Sequence, residues 1–127
     1  MNEPLTLPTV LLVDDDDSLR NLLQRILEEH GYHVLPASNG PDAIGLCREF
    51  WHPIALLLTD VEMPGMSGFE LAAQALRLHP GMKVLFVSGN GAGQLGRAAG
   101  FNADVLAKPF ETSVLIRNIT QLLRQQS

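Results

Sequence analysis

Residues 54–60 read Ile-Ala-Leu-Leu-Leu-Thr-Asp, an uninterrupted apolar run that ends in a carboxylate. A strand with one face in water alternates apolar and polar residues, whereas this run has apolar side chains on both faces. Such strands lie in the middle of parallel sheets, where helices cover both faces of the sheet. The stretch therefore predicts an α/β fold in which Asp60 follows a buried strand.

The sequence on either side of this run alternates between short apolar stretches and segments with helical periodicity. Gly31 follows the first helical segment at the position where helices commonly end, and Ser67 with Glu70 forms a capping box at the start of the third. Five strands are predicted, at residues 10–13, 33–35, 54–59, 83–87 and 105–107. Five helices are predicted. The first contains the apolar face Leu19–Leu27 and ends at Gly31, and the second, third and fifth cover about residues 39–51, 67–79 and 111–124. The fourth lies in the glycine-rich segment that contains Gly89 and Gly100, and it is expected to be short or mobile.

Five successive β-α units predict a doubly wound parallel sheet with helices on both sides. All strands of such a sheet end at the same edge, and ligands bind beyond that edge. Five polar residues follow the predicted strands: Asp14, Asp15, Asp60, Ser88 and Lys108. Residues far apart in sequence are therefore expected to meet at one edge.

The chemistry of these five side chains points to phosphate. Three carboxylates without a nearby histidine or thiol suit a hard cation, Mg²⁺ or Mn²⁺, which neutralises phosphoryl oxygens. An ammonium group and a hydroxyl can bind further phosphoryl oxygens, and a carboxylate can itself be the nucleophile that forms an aspartyl phosphate. The set predicts a site that accepts a phosphoryl group.

Composition limits the class of protein. With 127 residues, 46% of them hydrophobic, the chain is expected to form one folded domain. The net charge of −5 without a basic stripe argues against direct nucleic-acid binding. A single cysteine, Cys47, excludes an internal disulfide and fits a reducing compartment. No apolar run approaches the roughly 20 residues that span a bilayer, so we expect a cytoplasmic protein without membrane insertion.

Four motifs resemble the receiver domain of two-component response regulators, in order and over essentially the whole chain. They are VLLVDDDD (10–17), LLLTDVEMPGMSG (56–68), FVSG (86–89) and LAKPF (106–110). The resemblance implies a flavodoxin-like fold with the strand order 2-1-3-4-5. It also implies a single receiver domain over residues 1–127, with a short N-terminal lead at 1–8 and no output domain.

The resemblance assigns roles to the residues at the predicted edge. It implies that Asp60 is the phosphoacceptor and that Asp14 and Asp15 hold Mg²⁺, with Asp15 the direct ligand of the pair. Asp60 and the backbone carbonyl of Glu62 complete the protein's share of the metal ligands. Ser88 matches the switch residue that contacts the phosphoryl group.

Lys108 matches the invariant lysine of the family, and the bond before Pro109 is expected to be cis. Glu62 stands at a position that in the family tunes the rate of dephosphorylation. Val105 departs from the family pattern, because many receivers have an aromatic residue there that couples to the switch residue. We therefore expect output to depend on the loop after Ser88.

The function implied is that of a phosphorylation-dependent signalling switch. A sensor histidine kinase or a histidine phosphotransfer protein supplies the phosphoryl group, and a downstream target binds the face formed by the fourth helix, the fifth strand and the fifth helix. The protein is expected to be a monomer or a phosphorylation-dependent dimer. It is not expected to be an enzyme beyond its own autophosphorylation and autodephosphorylation.

Two alternatives remain open from the sequence. A Mg²⁺-dependent aspartyl-phosphate phosphohydrolase uses similar groups, but places a DxD motif after the first strand and usually adds a cap domain. Turnover of a small phosphomonoester would distinguish it. A receiver-like binding module that is never phosphorylated is the second alternative, and all five site positions being filled argues against it.

Overall fold

The computed structural model describes residues 7–89, 103 and 105–125. Their strands are β1 (Thr9–Val13), β2 (His33–Ala37), β3 (Leu56–Asp60), β4 (Lys83–Ser88) and β5 (Val105–Ala107). Their helices are α1 (Asp17–Glu29), α2 (Gly40–Glu49), α3 (Gly68–Leu78) and a C-terminal helix (Thr112–Arg124). All neighbouring strands pair in parallel, in the order β2-β1-β3-β4-β5, which confirms the predicted fold class. The predicted fourth helix lies, apart from Gly89, outside the described residues.

The ends of the helices follow from short-range hydrogen bonds. The Asp16 side chain accepts from the backbone N–H of Leu19 at the start of α1. Beyond the end of α1, Gly31 has φ +91°, a left-handed conformation that favours glycine, as predicted. No helix in the described ranges is long and apolar enough to cross a bilayer.

The predicted capping box at the start of α3 is confirmed in both directions. Ser67 Oγ accepts from the backbone N–H of Glu70 at 3.1 Å, and the Glu70 carboxylate accepts from the backbone N–H of Ser67 at 2.9 Å. These two bonds fix the first turn of α3, and with it the loop that leads from β3 into the helix.

The core lies on both faces of the sheet, as the apolar run at 54–59 predicts. Leu57 of β3 packs in one cluster with residues of α2 and α3, and Leu58 packs in a second cluster with residues of α1 and the C-terminal helix. All five residues of β3 are buried, Asp60 among them. The hydrophobic effect therefore holds the end of β3 firmly in place.

Several boundaries differ from the sequence-based prediction by one or two residues, and those of α2 and β3 are described here. Helix α2 ends at Glu49 and not at Trp51, because Phe50 adopts an extended backbone and its ring stacks on His33 with centroids 6.0 Å apart. Strand β3 begins two residues later than predicted and includes Asp60. Tertiary contacts of this kind override local propensity.

Candidate functional site

The carboxyl edge of the sheet brings Asp14, Asp60 and Lys108 together. Asp14 directly follows β1, Asp60 is the last residue of the neighbouring β3, and Lys108 directly follows β5. Lys108 Nζ lies 3.5 Å from Asp14 Oδ2 and 3.4 Å from Asp60 Oδ2, so the ammonium group bridges the two carboxylates. The predicted meeting of these three residues is confirmed.

Asp15 joins the same cluster from the solvent side. One carboxylate oxygen from each of Asp14, Asp15 and Asp60 lies within 4.8 Å of the others, with Asp15 exposed and the other two buried. Asp60 Oδ1 is buried and has no hydrogen-bond partner among the described residues. Because oxygen ligands without nitrogen or sulfur suit Mg²⁺, and a buried carboxylate oxygen needs a positive partner, the cluster fits the receiver metal site.

The environment shifts the acid-base behaviour of two of these groups. Burial raises the pKa of Asp60, Lys108 opposes that rise, and the nearby Asp14 and Glu62 carboxylates add to it. Burial lowers the pKa of Lys108, but Asp14 and Asp60 together outweigh this, and the net pKa is raised. Lys108 therefore keeps its positive charge at neutral pH, where the site needs it.

Asp14 is held by hydrogen bonds from its own segment. Its Oδ1 accepts from the backbone N–H of Asp16 at 2.9 Å, and its backbone carbonyl accepts from the Arg20 guanidinium at 2.8 Å. Arg20 also pairs with Asp17, three residues earlier on α1, at 2.8 Å. Sequence reasoning did not identify Arg20 as a supporting residue, although the three-residue spacing from Asp17 on a helix was a usable signal.

The loop after Asp60 passes close to the backbone of the site. Gly68 donates its N–H to the carbonyl of Val61 at 2.9 Å, and a Cβ at Gly68 would lie against the carbonyl oxygen of Asp60, far inside van der Waals contact. Thr59 Oγ1 donates to that same carbonyl at 2.9 Å. Gly68 thus permits the close approach of α3 to the end of β3, a role that the motif PGMSG alone did not reveal.

Ser88 ends β4 and is 1% exposed. Its hydroxyl donates to Glu62 Oε2 at 2.7 Å, and its backbone carbonyl accepts from the N–H of Lys108 at 2.8 Å. The Lys108–Pro109 bond is cis, as expected. The contact between Ser88 and the side chain of Glu62 was not predicted, since the resemblance gave Glu62 a metal-binding carbonyl and a position that tunes dephosphorylation, but no partner for its carboxylate.

Comparison with known proteins agrees with this geometry. The sequence model of the response regulator receiver domain matches residues 10–120. The response regulator receiver protein CpdR of Brucella abortus is 40% identical over 116 residues, which cover 90% of this chain and 95% of that protein. The sensor kinase CckA of the same organism is 33% identical over 120 residues, 93% of this chain but only 13% of the kinase.

A crystal structure of a response regulator receiver protein from Sinorhizobium medicae superimposes with a TM-score of 0.87 at 28% identity. The match covers 98% of this chain and 100% of that one. The fold, the carboxylate cluster, the bridging lysine and the matched sequence agree with one another. The chain belongs to the response regulator receiver domain family of two-component systems.

Proposed function

We propose that Asp60 is the phosphoacceptor of a phosphorylation-dependent signalling switch that works with Mg²⁺, Mn²⁺ being an alternative. The observation that carries this is the state of the Asp60 carboxylate. One of its oxygens contacts Lys108 at 3.4 Å, and the other is buried without a hydrogen-bond partner among the described residues. A buried, incompletely satisfied carboxylate beside a fixed positive charge suits a nucleophile in phosphoryl transfer.

The transfer is a substitution at phosphorus. An oxygen of Asp60 forms a bond to the phosphorus of a phosphohistidine, the P–N bond breaks, and the histidine nitrogen leaves with the electron pair. Lys108 stabilises the negative charge of the phosphoryl oxygens, and the hydroxyl of Ser88 donates to one of them. When bound, Mg²⁺ supplies further positive charge to these oxygens.

The residues that hold the metal in this proposal are Asp14, Asp15 and Asp60 through their carboxylates and Glu62 through its backbone carbonyl. The mutual approach of the three carboxylate oxygens within 4.8 Å supports the first three. Asp14 is oriented for this by the Asp16 and Arg20 hydrogen bonds.

The partners follow from the family. Receiver domains interact with histidine kinases or phosphotransfer proteins and with downstream targets. We place this chain, over residues 1–127, as one such receiver domain in the cytoplasm, with autophosphorylation and autodephosphorylation as its only chemistry. The target surface would include β5 and the C-terminal helix, together with the predicted fourth helix, which lies outside the described residues apart from Gly89.

The test is intact mass spectrometry after incubation with Mg²⁺ and acetyl phosphate. Wild type is expected to gain one phosphoryl group and Asp60→Asn to gain none. Glu29→Gln is the matched control, because Glu29 is an exposed carboxylate at the far end of α1 and lies outside the carboxylate cluster, and it is expected to behave as wild type.

Absence of a gain in wild type, both with acetyl phosphate and with a phosphohistidine donor, would contradict the proposal and favour a binding module. Steady release of phosphate from a small phosphomonoester would indicate a phosphohydrolase instead.

A further inference from the structure

The hydrogen bond between Ser88 and Glu62 competes with the use of Ser88 in the acceptor site. A serine hydroxyl has one proton to donate, and an ionised carboxylate can only accept. In this structure Ser88 Oγ donates to Glu62 Oε2 at 2.7 Å, a distance within the range of a charge-assisted O–H···O bond. The proton that a phosphoryl oxygen would need is therefore engaged with Glu62.

Asp60, the proposed phosphoacceptor, lies beside the strand that ends in Ser88 but has a carboxylate oxygen without a hydrogen bond to the described residues. The ends of β3 and β4 lie side by side, since Asp60 pairs with Val87 and the N–H of Val61 donates to the carbonyl of Val87 at 2.9 Å. Even so, Asp60 Oδ1 is buried without a hydrogen-bond partner among the described residues. The Ser88 hydroxyl, one residue beyond Val87, is directed toward the exposed Glu62 side chain.

We propose that Glu62 is a positioning residue that holds the Ser88 hydroxyl away from the phosphoryl group and so opposes phosphorylation of Asp60. This rests on the proposed function. Phosphorylation transfers the Ser88 hydrogen bond from Glu62 to a phosphoryl oxygen, so the strength of the Glu62 bond is subtracted from the stability of the phosphorylated state. Glu62 then sets how readily this receiver switches, through its side chain and independently of its backbone carbonyl.

A purely electrostatic role for Glu62 makes a different prediction. A negative side chain near Asp60 repels an incoming phosphoryl group whether or not Ser88 carries a hydroxyl. Glu62→Gln removes the charge and keeps an amide oxygen that can accept from Ser88, whereas Glu62→Ala removes both. Neither substitution alters the backbone carbonyl, and Glu62 is exposed, so both variants are expected to fold.

The experiment is a double-mutant cycle over Glu62→Ala and Ser88→Ala, with Glu62→Gln and Glu29→Ala as further variants. Two quantities are measured for each: the initial rate of phosphorylation by acetyl phosphate with Mg²⁺, and the affinity for beryllium fluoride by calorimetry. Glu29 is the matched control, since it is exposed at the far end of α1, about 20 Å along the helix from the site.

Glu62→Ala is expected to raise both quantities about five-fold, which corresponds to about 1 kcal/mol. Glu62→Gln is expected to raise them less than about two-fold, because the hydrogen bond is retained. In the Ser88→Ala background, Glu62→Ala is expected to change them less than about two-fold, because the hydroxyl it acts on is gone. Glu29→Ala is expected to match wild type.

Two results would overturn the inference while leaving the proposed function intact. The first is a phosphorylation rate of Glu62→Ala equal to that of wild type. The second is an equal rise in rate from Glu62→Ala with and without the Ser88 hydroxyl, which would indicate repulsion by charge alone. Absence of phosphorylation on Asp60 in every variant, wild type included, would instead overturn both proposals together.

Discussion

Replacement of Asp60 by asparagine is expected to stabilise the unphosphorylated protein at neutral pH. Asparagine keeps the size of the side chain and an oxygen within reach of Lys108, but it carries no charge. The Asp60 side chain is 8% exposed, and burial raises the pKa of its carboxyl group, which means that the fold disfavours the ionised form. The charge that the function requires therefore lowers the free energy of unfolding.

The magnitude follows from the charges around Asp60. At an effective dielectric constant of about 20, Lys108 at 3.4 Å attracts the carboxylate by about 5 kcal/mol. Repulsion from Asp14, whose oxygen lies within 4.8 Å, offsets at least about 3.5 kcal/mol of this attraction. The loss of hydration on burial is several kcal/mol per ion and exceeds the small remainder, so Asp60→Asn should gain about 1–2 kcal/mol.

The sign of the pH dependence provides an independent check. Because the pKa of Asp60 is higher in the folded than in the unfolded protein, the folded state binds the proton more tightly. Wild type therefore loses stability as the pH rises from the ordinary value of 3.8 through the raised value, and Asp60→Asn does not. The difference between them should close at pH values below 3.8 and be largest at neutral pH.

The assay is urea unfolding in metal-free buffer over a series of pH values, since a bound cation would remove the effect. Asp17→Asn is the control, because its exposed ion pair with Arg20 is expected to contribute only about 0.5 kcal/mol. A variant Asp60→Asn that is no more stable than wild type at neutral pH would refute the reasoning. So would a gain that persists unchanged on acidification.

Three further predictions concern the supports of the site. Gly68→Ala should lower the free energy of unfolding in urea by about 2–3 kcal/mol and slow phosphorylation, because its Cβ meets the Asp60 carbonyl. Gly45→Ala, which has open space around it on α2, should raise the free energy of unfolding by about 0.5–1 kcal/mol, and equal effects of the two substitutions would exclude the steric argument. Lys108→Met should lower the free energy of unfolding by about 2 kcal/mol without metal, and Mg²⁺ should restore part of the loss. Because the site raises the pKa of Lys108 above its ordinary value of 10.5, wild type should lose stability above pH 10.5 and the variant should not; the same loss in both proteins would contradict this. Ser67→Ala should lower the free energy of unfolding by about 1 kcal/mol in a thermal unfolding assay and leave the phosphorylation rate unchanged. A changed rate would mean that the capping box also positions Asp60.

Hydrophobic periodicity was sufficient to predict a doubly wound parallel sheet and the residues at its carboxyl edge, whereas the strand order came from the resemblance to receiver domains. The position of Asp60 or Lys108 at the end of a strand depends only on the order of the elements, which hydrophobic periodicity reveals. The end of α2 was predicted two residues too late, because the Phe50–His33 stacking joins residues on different elements.

The contacts that sequence reasoning missed depend on the path of a loop and on side-chain rotamers. Gly68 approaches the Asp60 carbonyl because of the turn that the β3–α3 loop makes, and a glycine in a motif does not specify its neighbour. The Glu62 carboxylate reaches Ser88 across 26 positions, through a rotamer of an exposed side chain that no periodicity encodes. Residue types indicate which groups meet at an edge, but the structure is needed to determine which of them are already hydrogen-bonded to one another.

The charge of the site explains why such a contact matters. Asp14 and Asp60 share the ammonium group of Lys108, and the Asp15 and Glu62 carboxylates lie near Asp60, so this group of residues carries a net negative charge before any phosphoryl group arrives. A phosphoryl group adds more negative charge and needs every available donor. Lys108 already serves two carboxylates, and the Ser88 hydroxyl serves Glu62. Because both donors are engaged in the unphosphorylated protein, phosphorylation must rearrange existing bonds, and the strength of those bonds sets the threshold of the switch.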